Sequence, residues 1–489
     1  MISRFTAPFS SFAGWTEFRI RQVNLFSIRI ESLLGFGFLL IASLGKVSAS
    51  KPNVLLIVTD DQRPDTIAAL GNDMIDTPNL DRLVKRGTTF EQATCANPLC
   101  VPSRAEILSG CSSFRNGVLG MGAERIDPKL SLLPTVMTGG GYHAWYVGKW
   151  MNDGKPLTRG YHETQALFGS GGGTWKKDEI ILGRKKRPIT GYRNWTFKDA
   201  KGIPDLSKGI GLTALSDKYI ADGALEFLQR KTEKPFFLHV NFTGPHDPLI
   251  YPPGYEGKYK PENLKLPPNF LPRHPFDHGN FEGRDERLLP WPRTKKDVLD
   301  ELAVYYAVID HIDKQVGRII GQLRSDGRLK NTYVIFTSDH GLALGSHGLM
   351  GKQNMYEHTM RVPLVIAGPG IPKAKGTDAL CYLRDLYPTI CELTGVPIPK
   401  SVEGRSLLPV ISGKKEAVYE EIYGYFRDKQ RMVRTERFKL IYYPHLDRYQ
   451  LFDLSEDPHE LRDLSEDSGH KGTVASLRGK LMKWIRGQK

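Results

Sequence analysis

The chain has 489 residues, which at roughly 150 residues per domain admits about three domains, or one large domain with an appendage. Hydrophobic residues at 40%, charged residues at 25% and aromatics at 10% are globular proportions, and they exclude wholesale disorder, collagen, coiled coil and a multi-span membrane protein. The formal charge of +14, from 68 Lys and Arg against 54 Asp and Glu, favours anionic partners such as polysaccharides, nucleic acids or small anions.

An uncharged apolar stretch, residues 33–44, follows Arg4, Arg19, Arg21 and Arg29 and precedes Val47-Ser48-Ala49-Ser50. This is the pattern of a signal peptide with a long basic leader, and it falls short of the roughly 20 residues that span a bilayer. The expectation is a signal peptide over residues 1–50, cleaved near Ala49, with export to the periplasm or the medium. No stable membrane span is expected afterwards.

From Val54 onward, short apolar runs alternate with helical patterns. Residues 51–413 therefore read as one α/β domain, a large mixed, mostly parallel sheet sandwiched by helices. Four runs stand out as buried strands: 54–58, 144–147, 236–240 and 333–336. Over 302–323, apolar residues recur at steps of three and four, the stripe of a long helix that packs on the sheet and asks for no functional reading. Residues 251–296 are dense in Pro, Gly and charge and read as a surface excursion of the kind that lines clefts. Beyond Gly413 come short alternating segments and then a helical pattern over 474–485. Residues 414–489 are expected to form a smaller subdomain, an antiparallel sheet with a packed helix.

In an open parallel sheet, ligands sit beyond the carboxyl ends of the strands. Here the four strands run into Asp60-Asp61, Gly148-Lys149, Gly244-Pro245-His246-Asp247 and Ser338-Asp339-His340-Gly341. Carboxylates converging from Asp60, Asp61 and Asp339 suit a hard divalent cation such as Ca²⁺ or Mg²⁺. The chain has no Cys-x-x-Cys pair of a zinc cage. Lys149 and His246 on the same rim would face an anion held against that cation, with His246 able to protonate a leaving group. The pattern describes a metal-assisted hydrolase of an anionic ester.

The five cysteines, Cys95, Cys100, Cys111, Cys381 and Cys391, are an odd number, so at least one stays outside any intramolecular disulfide. The short separations Cys95 with Cys111 and Cys381 with Cys391 make one of three connectivities for the other four. Cys100 precedes an expected helix start at Pro102, where backbone N–H groups stabilise anions. Asn194-Trp195-Thr196 and Asn241-Phe242-Thr243 fit the glycosylation sequon.

Cys100-x-Pro102-Ser103-Arg104 resembles the sulfatase signature, in which a cysteine is converted to formylglycine. The resemblance continues through Asn53 to Gln62, Gly148-Lys149-Trp150, Gly244-Pro245-His246, Tyr305-Tyr306-Ala307 with Asp310, and Ser338-Asp339-His340-Gly341. It goes on through Ser346-His347-Gly348, Gly351-Lys352, Tyr356-Glu357, Arg361-Val362-Pro363, Met432 to Leu440, Leu451-Phe452-Asp453-Leu454 and Asp457-Pro458. It covers nearly all of residues 51–465, and several spaced motifs agree.

The resemblance implies the following roles. Asp60, Asp61, Asp339 and His340, with the modified residue 100, would bind one calcium ion. Arg104 would hold the formylglycine, Lys149 and Lys352 the sulfate oxygens, and His246 would protonate the leaving alcohol, while Asp339 accepts a proton from the nucleophile. The implied substrate is a sulfated carbohydrate, and the implied maturation partner is a formylglycine-generating or anaerobic sulfatase-maturating enzyme. One departure is plain: the family usually has a His two or three residues after the Gly-Lys element, which helps release sulfate, and here Met151 and Asn152 stand there. His347 and His143 are the candidates to replace it.

Two other readings share parts of the pattern. One is a phosphate or phosphonate ester hydrolase of the same alkaline-phosphatase-like superfamily. The other is a sulfated-glycan binding protein with little catalysis. Nucleic acid is not an expected partner, because the basic residues form no stripe interleaved with aromatics.

Overall fold

The computed structural model describes residues 50–122, 124–171 and 191–488. The expected signal peptide therefore lies outside the described residues except for Ser50. Among the described residues no helix is long and apolar enough to cross a membrane.

The strands in chain order are β1 (Asn53–Thr59), β2 (Gly87–Phe90), β3 (Ala93–Thr94), β4 (His143–Lys149), β5 (Glu163–Ser170), β6 (Trp195–Lys198) and β7 (Phe236–Asn241). They continue with β8 (Thr332–Ser338), β9 (Leu364–Ala367), β10 (Lys375–Thr377), β11 (Cys381–Tyr382), β12 (Glu421–Phe426), β13 (Gln430–Thr435), β14 (Phe438–Tyr443) and β15 (Arg448–Asp453). Nine of them form one sheet in the order β10-β2-β9-β8-β1-β7-β4-β5-β6. The centre, β8-β1-β7-β4-β5, is parallel throughout, while β9 and β6 pair antiparallel. The four strands read from the sequence, β1, β4, β7 and β8, are neighbours at the middle of this sheet.

They are legible because both faces of the sheet are covered, so each strand is a continuous apolar run. In β1, Val54, Leu56 and Val58 face one core and Leu55 and Ile57 the other. The first core is filled by the helices Cys100–Ser109, Leu133–Gly139 and Leu386–Thr394, the second by Pro78–Arg86, Ser216–Leu228 and Lys295–Ser325. The last of these is the 302–323 stripe, extended to 31 residues. It starts at Thr294, whose hydroxyl accepts the Asp297 N–H at 3.1 Å, a side-chain cap on an otherwise unpaired donor.

Strands β12 to β15 form a four-stranded antiparallel meander. Alternate residues face opposite ways: Met432, Ile441 and Phe452 enter the large core, while Val433, Leu440 and Leu451 pack on Leu477 and Leu481 of the helix Lys471–Gly487. The meander is thereby sandwiched between the main body and the terminal helix. Buried ion pairs fasten it: Lys439 Nζ lies 2.9 Å from Glu357 Oε1 and 2.7 Å from Glu460 Oε1, and Arg434 Nε 3.2 Å from Glu357 Oε1. Residues from Ser50 onward form one compact unit.

All five cysteines are free and buried, so neither short-range disulfide forms. Of the sequons, Asn241 is 1% exposed at the end of β7 and is inside the protein rather than on its surface.

Candidate active site

The carboxyl ends of β8, β1, β7 and β4 lie side by side, so residues distant in sequence meet on one rim. Asp60 and Asp61 follow β1, Asp339 follows β8, His246 lies five residues past β7, and Lys149 ends β4. Gly148, with φ +95°, sits so close to β7 that a Cβ there would lie 2.0 Å from the Asn241 carbonyl oxygen. The β4–β5 register shifts at this point, between Val147 and Lys149. The nucleophile candidate comes from the opposite layer. The helix expected to begin at Pro102 begins at Cys100, which stands in its first turn.

Ligand atoms of Asp60, Asp61, Cys100 and His340 all lie within 4.8 Å of one another, and all four residues are buried. The Cys100 thiol donates to Asp60 Oδ1 at 3.4 Å, and His340 Nε2 is 3.3 Å from Cys100 Sγ. His340 Nδ1 is 3.1 Å from Asp61 Oδ1. Asp339 stands beside this set: its Oδ1 accepts the Asp61 N–H at 3.2 Å and its Oδ2 accepts Arg104 Nε at 3.0 Å. Lys149 pairs with Asp60 Oδ2. Lys352 Nζ donates to Asp61 Oδ1 at 2.8 Å and lies 3.6 Å from Cys100 Sγ. Arg104 Nη1 donates to Asn241 Oδ1, so this guanidinium holds Asp339 and Asn241 in place. His246 Nε2 is 4.0 Å from Asp61 Oδ2, and its Nδ1 is 2.6 Å from the Asp247 carbonyl oxygen.

The electrostatics divide the two adjacent carboxyls. Burial alone would raise both, but Lys149, with His246, Arg104 and Lys352, holds Asp60 well below the usual carboxylate range. Burial holds Asp61 well above that range: Lys352 draws it down, while Asp60 and Asp339 push it further up. Burial, reinforced by Asp60, pushes the Cys100 thiol up. An unmodified thiol is thus kept neutral and is a poor nucleophile. Burial pushes His340 down to about 4, leaving a neutral imidazole free to act as a ligand. Converging carboxyl oxygens, a neutral nitrogen, and an Asp61 carboxyl that burial and its acidic neighbours make costly to ionise without a nearby positive charge form a donor set that fits a divalent cation.

Several contributing residues carried no sequence sign of the contact they make. Tyr305 lay in the apolar stripe of the long helix, yet its hydroxyl donates to the Asp61 carbonyl at 2.6 Å and accepts the Arg63 N–H at 2.9 Å. It braces Asp61, whose φ of +68° is unusual for a residue with a side chain. The reading of that stripe as packing alone is corrected here. Tyr192, in an irregular segment, donates to Asp60 Oδ2 at 3.0 Å. Arg284 clamps Asp247 with two bonds of 2.7 and 2.8 Å, behind His246.

Neither proposed replacement for the missing histidine reaches the site. His143 opens β4, six residues and about 20 Å from Lys149 at the other end of the strand, and pairs with Glu163 at 3.1 Å. His347 is buried, 3.0 Å from Asn269 Nδ2 and stacked on Tyr356 with ring centroids 3.9 Å apart. Asn152, at the departing position, donates to the Val101 carbonyl at 3.1 Å.

Above the cluster opens a cleft of about 850 Å³, lined by Cys100, His246 and Lys352 together with Tyr192, Trp195 and Phe281. The excursion expected over 251–296 contributes through Asp277 and residues 279–285, and Gly191, Tyr192 and Trp195 add a second side. His246 is the one imidazole lining this cleft among the described residues.

A doubly covered, mostly parallel sheet with acidic, cationic and imidazole groups converging on Cys100 in the first turn of a helix fits a hydrolase of anionic esters. The sulfatase family model matches residues 52–396, and that for the C-terminal part of N-sulphoglucosamine sulphohydrolase matches residues 345–487. The chain belongs to the sulfatase family and is a sulfuric ester hydrolase. It is 32% identical over 460 residues to an arylsulfatase of Clostridium perfringens, covering 90% of this chain and 95% of that protein. It is 25% identical to an N-acetylglucosamine-6-O-sulfatase of Bacteroides thetaiotaomicron, covering 94% and 90%. Among solved structures, one in complex with its substrate D-glucosamine-2-N,6-O-disulfate aligns with a TM-score of 0.71 at 24% identity, covering 90% and 98%. A phosphonate monoester hydrolase from Silicibacter pomeroyi aligns with the same TM-score at 22% identity, covering 90% and 96%, which shows a shared fold.

Proposed function

We propose that this sulfatase removes sulfate from a sulfated carbohydrate, using a formylglycine made from Cys100 and one calcium ion. The observation that carries the reading is the setting of Cys100. It lies in the first turn of a helix, among Asp60, His340 and Lys352, and burial suppresses the reactivity of its free thiol. Conversion to the hydrated aldehyde replaces that thiol with an oxygen nucleophile. Because Cys100 is 1% exposed, a formylglycine-generating or anaerobic sulfatase-maturating enzyme would act before the fold closes. Carbohydrate as substrate is supported by the likeness to an N-acetylglucosamine-6-O-sulfatase and by the rings of Trp195, Tyr192 and Phe281, which offer apolar faces to a sugar. Export through the leader at residues 1–50 suits such a substrate, and residues 51–413 would be the catalytic domain that the 414–489 subdomain completes.

Asp60, Asp61, Asp339 and His340 would hold the cation, which when bound would polarise the sulfuryl oxygens. Lys149 and Lys352 offset charge on those oxygens, and Arg104 holds the carboxylate of Asp339, the proton acceptor in this reading. Asp60 is the carboxylate in direct contact with residue 100 among the described residues. His246 gives its Nε2 proton to the departing alcohol, which leaves more easily than an alkoxide. Once neutral, the same nitrogen can take up a proton during sulfate release, a task for which neither His143 nor His347 is placed.

The test is peptide mass spectrometry across Cys100, on protein made with the maturation enzyme, paired with rates on aryl sulfate and aryl phosphonate. Aldehyde at residue 100 and faster cleavage of the sulfate are expected. A persistent thiol in a maturation-competent host would overturn the mechanism and favour a glycan-binding role. Faster cleavage of the phosphonate would make the chain a phosphonate hydrolase.

A further inference from the structure

The C-terminal meander does more than cover the core: its first hairpin forms a wall of the cleft. Phe426 and Arg427, at the end of β12 and in the turn to β13, line the same space as Cys100 and Lys352. The hairpin is held firmly against the catalytic body. Gln430 Nε2 donates to the Gln353 carbonyl at 2.9 Å, immediately beside Lys352, and the Tyr425 N–H donates to the Ala96 carbonyl at 3.0 Å. Lys429 presses on the 277–285 segment so closely that a Cβ at Gly279 would lie 2.5 Å from its own Cβ.

Arg427 is the exception in this otherwise paired neighbourhood. Arg284 pairs with Asp247, while Lys352 and Lys149, paired with Asp61 and Asp60, serve the scissile sulfate. The exposed Arg427 guanidinium rests over the Phe426 ring at 5.2 Å and pairs with no carboxylate among the described residues. Its backbone has φ +47°, a left-handed conformation that costs a residue with a side chain about 1 kcal/mol. Its carbonyl is pinned there by the Arg431 guanidinium. An unpaired Arg on a rigid turn, one ring from a cleft that binds an anion, is a preorganised oxyanion fork.

We propose that Arg427 is a specificity-determining residue that binds a second anionic group of the substrate, a sulfate or a carboxylate, while the scissile sulfate lies at Cys100. This rests on the sulfatase reading above and narrows its substrate class to sugars with at least two negative charges.

The test measures kcat/KM of matured wild type, R427A, R427K and R427E on three esters: a disulfated disaccharide, a monosulfated disaccharide with a uronate carboxylate, and an aryl monosulfate. The quantity read is each disaccharide's kcat/KM divided by that of the aryl ester. R427A lowers this ratio about tenfold, chiefly through KM, in line with the loss of one charge-assisted pair. R427E lowers it further and R427K retains part of it. A drop confined to one disaccharide assigns the remote group as sulfate or as carboxylate. Ratios equal to wild type in all three variants would overturn the proposal. Should no sulfate ester turn over, binding of the disulfated disaccharide to C100A protein, with and without R427A, reads the same contact. About tenfold weaker binding in the double variant would uphold Arg427 while sinking the sulfatase reading, and equal binding would overturn both.

Discussion

Replacing His246 by Asn should slow the enzyme in a way that depends on what leaves. A carbonyl oxygen only accepts, so the 2.6 Å contact with Asp247 places a hydrogen on His246 Nδ1. Nε2, which lines the cleft, therefore carries a proton only in the imidazolium form. Burial, aided by Lys352, Lys149 and Arg284, opposes that form and holds the ring well below its usual pKa, and an incoming anionic ester would favour it. Protonation by a positioned acid contributes about 10²–10⁴-fold. It matters for an alkoxide-like leaving group and little for an acidic phenol. Asn keeps a donor toward Asp247 and removes the acid. H246N should thus lose about 10²–10⁴-fold in kcat/KM on a carbohydrate or alkyl sulfate and less than about tenfold on 4-nitrophenyl sulfate. Steady-state kinetics on both esters decide the matter. Equal losses on the two would refute the reasoning and make His246 a sulfate-binding group.

Three further outcomes are expected. His274 donates from Nδ1 to the His347 carbonyl at 2.8 Å, and burial pushes its pKa down to about 4. The unfolded chain then takes up the proton first, so stability present above pH 6.5 is lost as pH falls toward 4, by about 2 kcal/mol at pH 5. H274N, which keeps the donor but does not titrate, should lose about 2 kcal/mol less than wild type between pH 7 and pH 5 in urea unfolding; parallel losses would contradict this. Replacing Lys439 by Met leaves Glu357 and Glu460 buried without their shared cation and should cost about 3–5 kcal/mol; a change under about 1 kcal/mol would show that water already screens the pair. Chelator dialysis should abolish sulfate release, added calcium should restore it, and elemental analysis should find one ion per chain; full activity without metal would count against the Asp60, Asp61 and His340 site.

Much of the fold could be read from short-range pattern. The run 54–58 is apolar at every position because β1 is covered on both faces, and the 302–323 stripe repeats with the helical period because its later residues, from Ile312, meet the sheet core while Leu302, Tyr305, Tyr306 and Ile309 are buried in a neighbouring cluster. The chemistry-bearing residues after β1, β4, β7 and β8 were legible for a related reason: strand ends are local features, and ligand sites in such sheets lie beyond them. The placement of Tyr192, Tyr305 and Arg284 was not legible. Each acts through hydrogen bonds to residues 37 to 244 positions away, and no local period marks such a partner.

The same distinction decides the histidines. His143, His246 and His347 look alike in the sequence as polar residues near expected elements, and only strand direction and loop packing put His246 in the cleft, His143 at the opposite rim and His347 against Tyr356. Arg427, similarly, belongs to a subdomain whose sequence shows only a small sheet, and it reaches the cleft because that sheet docks through Gln430 and Tyr425. Residue chemistry and periodicities that act within a few positions were enough for the α/β sheet, the long helix and a metal-assisted hydrolase of an anionic ester, and the spaced motifs added the family. The tertiary structure decided which groups share one desolvated space, because that convergence is set by packing between elements far apart in the chain.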